Sequence, residues 1–307
     1  MKKNLIFLCL IVIAGYILCC PTDAVTAAAK GLLLWYERVL PALLPFAILS
    51  NILIDSNYLH CLTRPLHKIV HPILPVSEAG SFVLLSGFLF GFPMGSKNCA
   101  ALLRKGALSE KEAQILLSVT NNISPVFISG YILMQELKLP SLTLFTFLVL
   151  YLPPLVVGSF RLRKTDTTFS SQKKPASDTL MNFKIIDAGI MNGFETLTRL
   201  GGYIMMFSII ASMTGQLPLS QTGNALLAGL TEITNGIHVL ISGSLPMRIC
   251  YPLAMMFTAF GGLSGVAQTS SMIQESGLSL KPYLKEKMLF SAMSALLAIL
   301  VVKIVGL

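Results

Sequence analysis

Long apolar runs alternate along this chain with short polar segments, most of them basic. About 20 apolar residues cross a bilayer as a helix. Runs near that length fall at 4–20, 32–54, 113–134, 141–160, 188–213, 222–243 and 284–306. Two further apolar stretches, 79–103 and 251–275, are broken by glycine. The first contains Phe90-Gly91-Phe92-Pro93-Met94-Gly95-Ser96-Lys97-Asn98 and the second Phe260-Gly261-Gly262-Leu263-Ser264-Gly265-Val266-Ala267-Gln268. Shifted by 170 residues, Phe90, Gly91, Gly95, Leu108, Ser109 and Lys111 meet Phe260, Gly261, Gly265, Leu278, Ser279 and Lys281. Backbone polar groups cannot stay unpaired in hydrocarbon, so a break at membrane depth must line an enclosed or watery space. The pattern predicts an all-α polytopic membrane protein of two pseudo-repeats, each with a re-entrant helical hairpin and a broken helix.

Charge sets the order of crossings. Counting 79–103 and 251–275 as hairpins puts Lys2 and Lys3, the 55–78 loop, Arg104, Lys105 and Lys111, the 161–184 cluster, Arg248, and Lys281, Lys285 and Lys287 on one face. That face is cytoplasmic by the positive-inside rule, and the N-terminus lies on it. Counting both stretches as single crossings puts 161–184 outside, against the rule. An inverted repeat, however, opens its two hairpins on opposite faces, and this count puts both on the same one. The 222–243 run, with Thr231-Glu232-Ile233-Thr234-Asn235-Gly236 inside it, is the segment whose status as a full span is open. The organisation expected is an N-terminal membrane helix (1–30), a first repeat (31–160), a basic cytoplasmic linker (161–184) and a second repeat (185–307).

Composition agrees with a membrane protein. Of 307 residues 54% are hydrophobic and 12% charged, with a mean hydropathy of +0.73. Soluble domains carry about 25% charged residues, so this chain cannot cover a water-facing surface. The net charge of +9 sits in short loops and forms no basic face with interleaved aromatics, which argues against nucleic acid. The six cysteines have no metal-ligand spacing and read as small buried apolar side chains. Lys2 and Lys3 precede an apolar run with no A-x-A site, the pattern of an uncleaved first helix. No GxSxG, HExxH, P-loop or metal-binding aspartate pair is present, so an enzyme is not expected, and neither a metal nor a bound cofactor.

Four polar constellations lie at membrane depth: Ser96-Lys97-Asn98; Thr120-Asn121-Asn122 before Ser124-Pro125; Glu232 with Thr234 and Asn235; and Gln268-Thr269. Taken singly, each is explained by helix–helix hydrogen bonding, worth about 1 kcal/mol or less. Their coincidence with helix breaks favours a ligand cavity. An intramembrane charge costs about 2.5–3.5 kcal/mol on insertion scales, so Lys97 is either snorkelling or contacting an anion. Arg199 stands four residues after Glu195, as a helical ion pair or as a fork for a carboxylate. Glu232 is a candidate coupling site for H+ or Na+, or a brace for the Asn235-Gly236 turn. His238 is a proton relay or a packed histidine.

Taken together, Gly91-Phe92-Pro93-Met94-Gly95-Ser96-Lys97, Thr120-Asn121-Asn122, Thr231-Glu232-Ile233-Thr234-Asn235-Gly236 and Phe260-Gly261-Gly262-Leu263-Ser264 resemble the YlbJ-type sporulation integral membrane proteins, which carry the nucleoside-recognition (Gate) domain. The resemblance covers about 30–300. It implies a carrier in the outer forespore membrane that moves dipicolinic acid, a small aromatic dianion, with a fold like concentrative nucleoside transporters. On that reading Lys97, Arg199 and helix N-termini complement the anion, and Asn121, Asn122, Asn235 and Gln268 orient it. A nucleoside or nucleobase carrier and a non-transporting sporulation scaffold are the alternatives. Partners beyond the small anion and the lipid bilayer are not implied, except that relatives of this type often form oligomers.

Overall fold

The computed structural model describes residues 2–56, 58–165 and 182–307, and all regular structure among them is helical. Most of the expected 161–184 linker, residues 166–181, lies outside the described residues. Helix α1 is Lys2–Cys19 and α2 Pro21–Leu34. A π-helical turn, Trp35–Val39, carries α2 into α3, Leu40–Asp55, making one 35-residue rod. An amphipathic α4, Leu59–Val70, precedes α5, Glu78–Phe90, and α6, Met94–Arg104. Next come α7, Glu110–Thr120, and α8, Pro125–Phe127, which runs on as a π-helical stretch, Ile128–Glu136. After α9, Thr143–Lys164, and α10, Phe183–Gly215, the chain forms α11, Gln221–Thr231, and α12, Ile233–Ile241. It ends with α13, Met247–Phe260, α14, Gly262–Met272, and α15, Leu280–Val305.

Helices restart where a side-chain oxygen satisfies the first free amides. Ser77 accepts from Gly80 N, Ser109 from Glu112 N, Ser124 from Phe127 N and Ser220 from Gly223 N. At α12 the cap is Glu232, whose carboxylate takes the amides of Thr234 and Asn235.

Two helix pairs fold back on themselves. In α5–α6 the Asn98 amide donates to Ser86 Oγ at 2.9 Å. Twelve residues of straight helix would hold these groups about 18 Å apart, so the chain reverses at Gly91-Phe92-Pro93. Gly91 sits at φ 71, ψ −156, a conformation closed to residues with a Cβ. The second pair is α11–α12. A Cβ on Gly236 would lie 2.1 Å from Gly229 Cα, and Gln221 at the start of α11 accepts from Ser244 beyond the end of α12.

This second hairpin corrects the expectation for residues 251–275 and the reading of 222–243 as a span. Residues Met247–Met272 form a single broken rod long enough to cross a membrane. Its halves pack chiefly on different neighbours, α13 on α15 and α14 on α10, α11 and α6. The 170-residue register matched a hairpin tip with a bend, because glycine serves both. In the structure 140 residues separate tip Phe92 from tip Glu232, and bend Asn121 from bend Gly261. Hairpin, broken helix and unbroken helix thus follow one another twice.

Antiparallel packing defines two ends. At one, Lys105 Nζ meets Asp55 Oδ1 at 2.5 Å, Gln114 exchanges two hydrogen bonds with the Ser279 backbone, and Arg161 pairs with Glu286. At the other, Gln216 donates to Asp23 and to Tyr16, and His238 approaches Glu136 at 3.4 Å. The basic clusters gather at the first end. Arg248 belongs to the second, one helix crossing from where the sequence count had it. Leu144, Leu148, Val156 and Phe160 on α9, and Leu296, Leu300 and Ile304 on α15, point outward. Contiguous outward apolar stripes on helices long enough to cross a membrane suit contact with lipid.

Candidate functional site at the crossing of four helix breaks

The two tips and two bends meet. Phe92 N donates to Asn122 O at 2.8 Å. A Cβ on Gly87 or Gly95 would come within 2.4 or 2.6 Å of Thr120 O, so the first hairpin clasps the end of α7. The Phe92 ring lies over Gly261 and Gly265, 2.8 and 3.4 Å from the Cβ each lacks. Gly262 lies against Thr231 O and Glu232 Cα. Backbone interrupted in four places is therefore gathered at one locus, where protein must satisfy what the helices leave free.

A buried polar network occupies the locus. Asn121 donates to Thr269 Oγ1 at 2.6 Å and to Tyr283 Oη at 3.1 Å, and Thr269 and Tyr283 lie 3.2 Å apart. Lys287, fully buried on α15, donates to Asn122 Oδ1 at 2.8 Å. Its ammonium stands 5.3 Å from the Phe92 ring centre and 5.9 Å from that of Tyr283. Among the described residues no carboxylate pairs with it. Asn121 Oδ1 is buried and accepts no hydrogen bond from the described chain. A cation held by an amide oxygen and two ring faces can bind an anion.

The residues singled out from sequence fall into three groups. Asn121, Asn122 and Thr269 form this network, and Thr120 borders it while its own hydroxyl returns to Leu116 O. Glu232, Thr234 and Asn235 make a closed cap next to it: the carboxylate accepts both backbone amides, the Thr234 hydroxyl and the Asn235 side-chain amide. Ser96, Asn98 and Gln268 bond to Pro93 O, Ser86 Oγ and Ser264 Oγ, which braces the hairpin and α14. Lys97 Nζ is buried with no hydrogen-bond partner. The carboxylates acting on it, Glu195 and Asp55, are engaged with Arg199 and Lys105. Arg199 itself is half exposed in its pair with Glu195, apart from the network. His238 is exposed and lines a groove of about 560 Å³ with Leu219, Gln221, Asn224, Val239 and Ser242.

Tyr283 and Lys287 were missed. They stand in the run Lys281-Pro282-Tyr283-Leu284-Lys285-Glu286-Lys287, which reads as a solvated basic turn. The signal was helical: Tyr283, Lys287, Phe290, Ser291 and Ser294 recur at intervals of three and four, and all are buried.

Six long apolar helices among the described residues, with two helical hairpins and a buried polar network where their breaks meet, define a polytopic integral membrane protein. Residues 37–138, from the middle of the α2–α3 rod to just past the π-helical stretch after α8, match the family model described as nucleoside recognition (Gate). The chain is 27% identical over 327 aligned positions to the sporulation integral membrane protein YlbJ of Bacillus subtilis (strain 168). That similarity covers 92% of this chain and 78% of the relative. No solved structure matches the chain.

Proposed function

We propose that this protein is a carrier, not an enzyme, that moves a small aromatic anion across its membrane by alternating access. Dipicolinate in a sporulating cell is the substrate of choice. The observation that carries the reading is Lys287, a buried cation with no acidic partner among the described residues, placed where four helix breaks meet. A scaffold has no use for an interrupted, charged centre. The order of elements supports an inverted repeat. With α5–α6 and α11–α12 as re-entrant hairpins, the chain crosses an odd number of times between them and they open to opposite faces. The charged ends then obey the positive-inside rule with the α1 start cytoplasmic. The relative's name, a sporulation integral membrane protein, supports a membrane of a sporulating cell as the location, and the outer forespore membrane is the one proposed.

A nucleoside or nucleobase is the second reading, favoured by the description of the matching family. The test is flux of labelled dipicolinate and uridine in parallel into proteoliposomes, with and without a pH step or a sodium gradient. Dipicolinate uptake that Lys287→Met abolishes supports the anion carrier. Uridine uptake alone replaces the substrate, and no flux of either overturns transport of these classes. Dependence on the pH step or on sodium assigns the coupling ion.

A further inference from the structure

Helix α4 has three faces. The inner one is pinned to the base of the first hairpin: Thr63, 1% exposed, donates to Glu78 Oε1 at 2.9 Å, His60 Nδ1 lies 3.3 Å from the same oxygen, and His67 Nδ1 lies 3.3 Å from Ser81 Oγ. A second face, continuing past the helix end, is exposed and apolar: Leu62, Pro65, Ile69 and Ile73, with Ile69 and Ile73 about two-thirds exposed. The third is cationic. Arg64 and Lys68 stand one turn apart, both exposed, and neither has a hydrogen bond or ion pair with any described residue. Between these faces His60, Cys61, Arg64, Pro65 and Lys68 line a groove of about 280 Å³.

Water alone does not suit the isoleucine stripe, and hydrocarbon alone does not suit two unpaired cations. The boundary between acyl chains and headgroups suits both. α4 follows Asp55, at the end of the molecule where the basic loops gather, so it lies at one membrane surface. An arginine fork and a lysine one turn away match a phosphate monoester or diester, while the neighbouring apolar stripe accepts acyl chain. We propose that the α4 groove is a binding site for the headgroup of an anionic phospholipid, held by Arg64 and Lys68 and seated on the first hairpin through Glu78 and Ser81. The inference requires only that the chain is embedded in a membrane and is independent of what the central locus binds.

The experiment is native mass spectrometry of the delipidated full chain in detergent, titrated with phosphatidylglycerol, phosphatidylcholine or inorganic phosphate. Wild type is compared with Arg64→Gln/Lys68→Gln and with Lys281→Gln/Lys285→Gln, which removes the same charge from two exposed lysines one turn apart at the same end. Arg64→Lys/Lys68→Arg, which keeps both charges, controls for folding. The expected result is retention of phosphatidylglycerol over phosphatidylcholine, lost roughly thirtyfold in the α4 double variant from about 1 kcal/mol per basic residue. The Lys281/Lys285 pair should change little, and the charge-conserving variant should hold the lipid. Equal loss in both glutamine variants, no loss in either, or inorganic phosphate binding as tightly as the lipid would each overturn the site.

Discussion

Replacing Lys287 by methionine separates a binding cation from a structural brace. Methionine keeps the unbranched apolar stem as far as Cε and removes the ammonium. The substitution deletes one charge-assisted hydrogen bond at 2.8 Å, about 1.5–3 kcal/mol. It also deletes the attraction of the ammonium to two rings at 5.3 and 5.9 Å, together about 0.5–2 kcal/mol. Asn122 Oδ1 loses its donor, which is the same bond counted once. Against these stands the desolvation of a fully buried ammonium, several kcal/mol even after relaxation. The terms nearly cancel, so the variant should unfold within about 1–2 kcal/mol of wild type, on either side. Anion affinity should move in one direction only. A carboxylate that loses its charged donor loses about 1.5–3 kcal/mol, or roughly 10- to 150-fold in Kd. Thermal unfolding in detergent and calorimetric titration with dipicolinate on the same sample read both quantities. A variant that melts more than about 10 °C lower yet binds as wild type would refute the reasoning and make Lys287 a brace.

Other outcomes follow from single contacts. Gly236→Ala puts a methyl 2.1 Å from Gly229 Cα, backbone that cannot swing aside, so it should cost about 3 kcal/mol or more and lower the melting temperature in detergent. In a double-mutant cycle, Ser86→Ala and Asn98→Ala should couple by about 1 kcal/mol, since the two groups bond across the first hairpin; additive losses would mean that the bond does not staple it. Arg199→Ala breaks an exposed i,i+4 pair and should change stability by no more than about 0.5 kcal/mol and leave flux intact; lost flux would bring Arg199 back into the site.

Much of the candidate site was legible. Asn121, Asn122 and Thr269 stand out because asparagine and threonine at membrane depth next to a proline or glycine break have few bland explanations. Glu232 stands out for the same reason, although its carboxylate is consumed by the cap it forms on α12. Lys287 was hidden because two lysines and a glutamate precede it within six residues, and a charge count along the chain does not see which face of a helix each side chain takes. Arg199 reads as an intramembrane charge, and its exposure depends on a long helix, α10, whose outer face packs against none of the described residues.

Sequence alone determined that the chain lives in a membrane, that it is helical, and where its helices must break. Those properties follow from local composition: apolar length, the absence of charge to cover a surface, and glycine, proline and capping serines at defined positions. Only the tertiary structure decided which breaks reverse the chain and which merely bend it. Gly91 and Gly261 both adopt positive φ, yet one turns a hairpin and the other kinks a crossing rod. Glycine permits either outcome, and the choice falls to long-range packing: Gly229 against Gly236 closes the second hairpin, and α15 against α13 keeps the rod extended. The same packing matched tip with tip and bend with bend at a spacing of 140 residues in place of 170, and carried Lys287 from an apparent surface loop to the interior of the molecule.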